Sequence, residues 1–185
     1  MGVIGDSLER AAQAVGTRPV PRSAGARMRY LVKQHKGSTK QVAALLGVSQ
    51  RTVERYVKDQ IKRPKTDLAA RMETEVRRRW QPLVRKRARD KAAKYTGLVI
   101  ETRARFGFTA APGTSDDGRM RRITQHLPPE FAGRLLAAQD AGASEAQLQQ
   151  IAAEGLQEVY FKDGGGRAQG LLVEFTDIDY IDVNL

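Results

Sequence analysis

The chain has no cysteine, and only two histidines, His35 and His126, among its 185 residues. The first absence excludes disulfide scaffolds, thiolate zinc sites, iron–sulfur clusters and cysteine nucleophiles. The second leaves nothing for a histidine-rich metal site, and no Gly-x-Ser-x-Gly turn is present to support a Ser-His-Asp hydrolase. Aromatic residues make up 6% of the chain, and no run approaches the roughly 20 apolar residues that span a bilayer. Neither GxxxxGK[ST] nor GxGxxG occurs, so neither phosphate cradle is expected. The first residues do not read as a secretory signal, because Asp6, Glu9 and Arg10 interrupt them.

Positive charge is in excess, and it is unevenly placed. Residues 1–125 carry 29 Lys and Arg against 11 Asp and Glu, residues 126–185 carry 3 against 10, and the whole nets +11. A basic body with an acidic tail region is a signature of nucleic-acid binding, since Lys and Arg neutralise phosphates and release counterions.

Three regions are expected: N-terminal helices with a DNA-binding segment over 1–62, a basic helical connector over 63–96, and an α+β domain over 97–185. The first helix reads as 7–15, capped by Ser7 and stopped by Gly16. Pro19 and Pro21 mark an extended linker. A second helix starts after Ser23, with Met28, Leu31, Val32 and His35 on one stripe and Gly37 at its end. His35 closes an apolar stripe and reads as a packed histidine, not a ligand.

The sharpest local pattern follows. Residues 39–46 read as a short helix, Gly47-Val48-Ser49 as a turn, and 50–58 as a second helix. Ala43 is small where the helices cross, Gly47 can take a positive φ, and Ser49 caps the second helix. Val42, Leu46, Val48, Val53 and Tyr56 supply the packing positions. This is the spacing of a DNA-binding helix-turn-helix, whose second helix enters the major groove. Its outward face would show Gln50, Arg51, Thr52, Arg55 and Lys58. Arginine can read guanine and glutamine adenine, while lysine and threonine more often hold phosphate.

From Pro64, a residue suited to a helix start, Leu68, Met72, Val76 and Trp80 form a stripe, and Pro82 predicts a break near Gln81. Arg77, Arg78, Arg79, Arg85, Lys86, Arg87, Arg89, Lys91 and Lys94 cluster across this break. Such a run can lie along phosphates, act as a basic targeting segment or simply solvate a helix; its place beside the helix-turn-helix favours phosphate contact. After Gly97 the period becomes two, with Leu98, Ile100, Thr102, Ala104, Phe106 and Phe108 on one face of a long strand. Residues 111–118 are turn formers, and 119–127 can return as the partner strand. Pro128-Pro129 opens a helix to about Asp140, and Ser144 with Gln147 makes a capping box for another. Residues 158–162 read as a strand, 163–166 as a turn and 171–183 as a final strand. The fold class is therefore α+β, a helical N-terminal half followed by a small antiparallel sheet with helices. Asp177 and Asp179 share a face if the last strand is regular, as a two-metal site would want. They read first as carboxylates that discourage edge pairing, so no metal site is assigned.

The segment 38–58, the basic stretch after it, the segment from Phe106-Gly107-Phe108 to Arg122 and the closing Val173-Glu174-Phe175-Thr176-Asp177-Ile178-Asp179-Tyr180 run together resemble a known family. They are similar to the terminal proteins of linear Streptomyces-type replicons, telomere-capping proteins bound covalently to 5′ ends. The likeness spans essentially the whole chain. It implies a protein primer, not an enzyme: a threonine hydroxyl accepts the first deoxynucleotide from a separate DNA polymerase, and the matching position is Thr114. Thr114 and Ser115 also sit in the polar loop 111–118, where a hydroxyl is within reach of another protein. The resemblance implies no cofactor of the chain's own, Mg²⁺ being supplied through the polymerase. It further implies telomeric DNA (a single-stranded 3′ overhang, duplex, or both) and a telomere-associated protein as partners, with self-association left open. The location it implies is the bacterial cytoplasm, at chromosome ends. Two rivals stand beside it. One is a helix-turn-helix transcriptional regulator with an α+β effector or dimerisation domain, and the other a metal-dependent nuclease or nucleotidyltransferase using Asp177 and Asp179.

Overall fold

The computed structural model describes residues 2–109, 120–164 and 171–185. The fold is mixed α+β, with eight α-helices and a three-stranded antiparallel sheet among these residues. The chain divides into two compact units, one formed by residues 16–82 and the other by 1–15 together with 83–185. This division differs from the three regions expected at 62 and 96. The first helix joins the sheet unit because its apolar stripe packs there, which periodicity alone does not reveal.

The helical unit holds α2 (Ala24–Gln34), α3 (Thr39–Leu46), α4 (Gln50–Val57) and α5 (Thr66–Arg79). Ser23 caps α2, Ser38 caps α3 and Ser49 caps α4, each accepting a bond from the backbone N–H three residues on. These hydroxyls satisfy amides that a helix start leaves without partners. Met28, Leu31, Val42, Leu46, Val53, Met72 and Val76 are buried in one core. Pro64 lies ahead of α5, whose N-cap is Lys65, so the helix starts later than the proline suggested. The expected break is present: α5 stops at Arg79, and Gln81 takes a left-handed φ of 46° before Pro82. That conformation is disfavoured for a residue with a side chain. Here the Gln81 amide offsets it by accepting from Thr17 N at 2.9 Å and donating to Thr17 Oγ1 at 3.1 Å. Trp80 Nε1 donates to Arg18 O at 3.0 Å, so the two ends of the unit are tied together.

In the second unit, the sheet has the order β2-β1-β3, with β1 (Leu98–Thr109), β2 (Met120–Leu127) and β3 (Leu172–Asn184). Leu98, Ile100, Thr102, Ala104 and Phe106 are buried, as the period-two pattern requires. Helices α1 (Val3–Ala14), α7 (Pro129–Asp140) and α8 (Glu145–Leu156) close over that face through Ile4, Leu8, Leu135, Leu136, Leu148 and Leu156. Ahead of β1 in the same unit, α6 (Pro82–Lys91) runs into a π-helical turn, Ala92–Thr96.

Three local expectations are corrected. Helix α1 begins at Val3 with Gly2 as its cap, not at Ser7. The Glu145 carboxylate accepts from Ile4 N at 2.8 Å and Gly5 N at 3.2 Å, and a Cβ on Gly2 would lie 2.2 Å from that side chain. Ser7 is buried instead, its hydroxyl accepting from Val183 N at 2.8 Å. Second, residues expected as a strand at 158–162 form a π-helical turn, Gln157–Phe161, which continues α8. Short apolar runs do not distinguish strand from helix by period, and the adjoining helix decides here. Third, β3 is not regular. Its pairing to β1 shifts register between Arg103 and Ala104 and again between Arg105 and Phe106. Each shift inserts one extra residue and reverses which parity faces inward. Phe175, Ile178 and Ile181 thereby pair with Phe106, Ala104 and Thr102, three residues apart instead of two. Asp177 pairs with Arg105, while Asp179 falls at the register shift and accepts from Arg103 at 3.0 Å.

Candidate nucleic-acid interface

The helical unit carries outward cations on α4. Gly47 leaves α3 in the left-handed region, at φ 61°, and Val48 N donates back to Ala43 O at 3.0 Å, which turns the chain sharply into α4. Val53 and Tyr56 anchor α4 in the core, and this fixes which of its residues look outward. The five residues expected on that face are not equivalent. Thr52 is half-buried and belongs to the cap, with its N–H bonded to Ser49 Oγ at 3.2 Å and its hydroxyl 2.9 Å from the same oxygen. Gln50 Nε2 donates to Thr39 Oγ1 and to Glu54 Oε1, both at 3.0 Å. Arg51, Arg55 and Lys58 are exposed. Their i, i+4, i+7 spacing puts the three cations on one face over about 10 Å of helix axis. That length matches about three phosphate steps of one DNA strand.

The basic run that follows is divided at Pro82 between the two units. Arg77 bonds Glu73 through Nε at 2.9 Å and Nη2 at 2.8 Å. That pair holds the Glu73 carboxyl below its ordinary range, with Arg27 adding to the effect. Arg78 meets Glu75 at 3.0 Å, and Arg79 also pairs with Glu75. On α6, Arg85 is only 16% exposed and donates to Glu9 Oε1 at 2.6 Å, a structural clasp to α1. Lys86 pairs with Asp90 at 2.6 Å and holds that carboxyl below the usual range. Arg87 is exposed. The charge count along the sequence could not separate Arg85 from Arg87; the acceptor on α1 does.

Sequence reasoning passed over a second cationic feature of the helical unit. A cavity of about 520 Å³ is lined by Arg22, Arg27, Lys62 and Arg63 together with the start of α2. The isolated pairs Arg22 and Arg27, Lys62 and Arg63 were the available signal. On the sheet, Asp179 accepts from Arg103 at 3.0 Å, and Asp182 accepts from Ser7 Oγ at 3.2 Å. Among the described residues no three His, Asp or Glu side chains are placed to hold a metal ion. Thr114 and Ser115 lie outside the described residues. The strands on either side of them are antiparallel neighbours, Arg105 opposite Met120. No helix among the described residues is long and apolar enough to cross a membrane. No family model, curated protein or solved structure matches the chain.

Proposed function

We propose that the chain is a DNA-binding terminal protein that caps the 5′ ends of linear replicons and primes their replication. The observation that carries the DNA-binding part is α4, a capped helix after a tight turn whose outward face offers Arg51, Arg55 and Lys58 to a polyanion. The priming part rests on the resemblance of the chain to terminal proteins, which assigns the acceptor hydroxyl to Thr114. In the reaction, Thr114 Oγ attacks the α-phosphorus of a deoxynucleoside triphosphate. The new P–O bond forms as the bond to the bridging oxygen breaks, pyrophosphate departs and the hydroxyl proton passes to solvent. A threonine hydroxyl is a weak nucleophile near neutral pH, and the metal pair of the partner polymerase would supply its activation. The protein is thus a substrate, left joined to DNA by a phosphodiester that blocks exonucleases. A telomere-associated protein would deliver it to the overhang.

Mass spectrometry of nuclease-treated protein taken from cells tests this directly. A nucleotide adduct on the peptide containing residues 110–119 is the expected result. Unmodified protein with a footprint on an internal promoter would instead identify a transcriptional regulator, which the same α4 face would serve equally well.

A further inference from the structure

Helix α6 contains no buried residue. It is held to α1 and α7 by side chains: Arg85 on Glu9, and Arg89 on Asp140 at 2.5 Å, Gln139 at 2.7 Å and the Leu136 carbonyl at 3.2 Å. A ten-residue helix with so little packing is marginal by itself. Its outward face continues through the π-helical turn as Leu83, Lys86, Arg87, Lys91, Lys94 and Tyr95, with Lys86–Arg87 and Lys94–Tyr95 adjacent and the other steps three or four residues. Leu83 is 69% and Tyr95 78% exposed, more than any other large apolar side chain among the described residues. They bracket four cations and one carboxylate, Asp90, which Lys86 already engages. Beside this face a cavity of about 320 Å³ opens, with Lys91, Gly97, His126 and Asn184 in its wall. Gly97 there has φ 68°, and a Cβ on it would lie 2.1 Å from Leu127 O, so the backbone is bare by necessity.

Cations at helical spacing meet phosphates, and an aromatic ring held out in water offers a face to another flat ring. Duplex DNA keeps its base faces stacked inside, whereas a single strand presents both phosphates and unstacked bases. We propose that the outer face of α6 and its π-helical turn binds single-stranded nucleic acid, with Lys86, Arg87, Lys91 and Lys94 on phosphates and Tyr95 stacked on a base. This rests on the reading of the chain as DNA-binding, but not on Thr114 as acceptor.

Fluorescence anisotropy of the full chain with labelled oligo(dT), and separately with a blunt duplex, tests it. Tyr95→Ala is expected to weaken oligo(dT) binding by about 5- to 150-fold and to leave duplex binding unchanged, while Tyr95→Phe retains affinity. Lys91→Gln with Lys94→Gln should lower the salt slope on oligo(dT) by about 0.7 for each phosphate no longer neutralised. Equal loss on duplex, no loss on oligo(dT), or no oligo(dT) binding by the parent protein would overturn the proposal. So would Tyr95-dependent binding to phosphatidylserine vesicles in place of oligo(dT). An oligo(dT) effect of Tyr95→Ala in a protein that carries no nucleotide adduct in cells would keep this face and remove priming. An adduct with Tyr95-independent binding would do the reverse.

Discussion

Arg85 and Arg87 are two residues apart and identical in type, yet they do different work. The Arg85 guanidinium is mostly buried against Glu9, and a charge-assisted bond of that kind contributes about 1.5–3 kcal/mol. Arg85→Ala is therefore expected to lower the thermal melting point while leaving the salt slope of DNA binding unchanged. Arg87→Ala should keep the melting point and reduce the slope by up to about 0.9 if it holds a duplex phosphate. Melting curves and binding isotherms on both variants check the pair. Glu73 gives a second residue-scale test. Its folded-state pKa is depressed, chiefly by Arg77, so its contribution is present above about pH 4.3, the ordinary glutamate value. It is lost as pH falls through the depressed value. Thermal melts at pH 6 and pH 3 should show a drop in stability that Glu73→Gln reduces. Glu73 is partly exposed, so the difference is modest.

At the scale of elements, α4 is where sequence and structure agree most closely. Its limits, its Ser49 cap and its Gly47 exit are all local chemistry, written within a dozen residues. The start of α2 after Ser23 and the capping box of α8 were legible for the same reason, as was the stop at Pro82. What could not be read needs a partner distant in sequence. Glu145 caps α1 from 140 residues away, so Ser7 looked like the cap when it is a core hydroxyl. The double register shift in β3 was invisible because Thr176 to Tyr180 alternate well enough to pass as a regular strand; only pairing with β1 reveals it. In the candidate site, exposure and partners separate Arg51, Arg55 and Lys58 from Thr52 and Gln50, which are engaged within the protein. Arg51→Ala is accordingly expected to reduce discrimination between cognate and scrambled duplexes by about 1–3 kcal/mol if it reads a base edge. Thr52→Ala should act instead through the helix start and lower stability. Competition binding against scrambled duplex, run beside melting curves, distinguishes the two.

On the scale of the whole molecule, charge and chemistry are divided between the units. The helical unit carries the outward cations of α4 and the cavity lined by Arg22, Arg27, Lys62 and Arg63, of which Arg27 also pairs with Glu73 at 3.2 Å. The sheet unit carries the α6 face, the acidic β3 strand and the paired strands β1 and β2. On the function proposed above, the carboxylates of β3 would keep that strand off DNA. The central claim is that Thr114 is the hydroxyl offered. Labelled deoxynucleotide transfer, with polymerase, telomere-associated partner and telomeric template, tests it most directly. Thr114→Ser should retain part of the labelling, since the nucleophile remains, and Thr114→Ala should abolish labelling while melting like the parent; full labelling of Thr114→Ala would contradict the account.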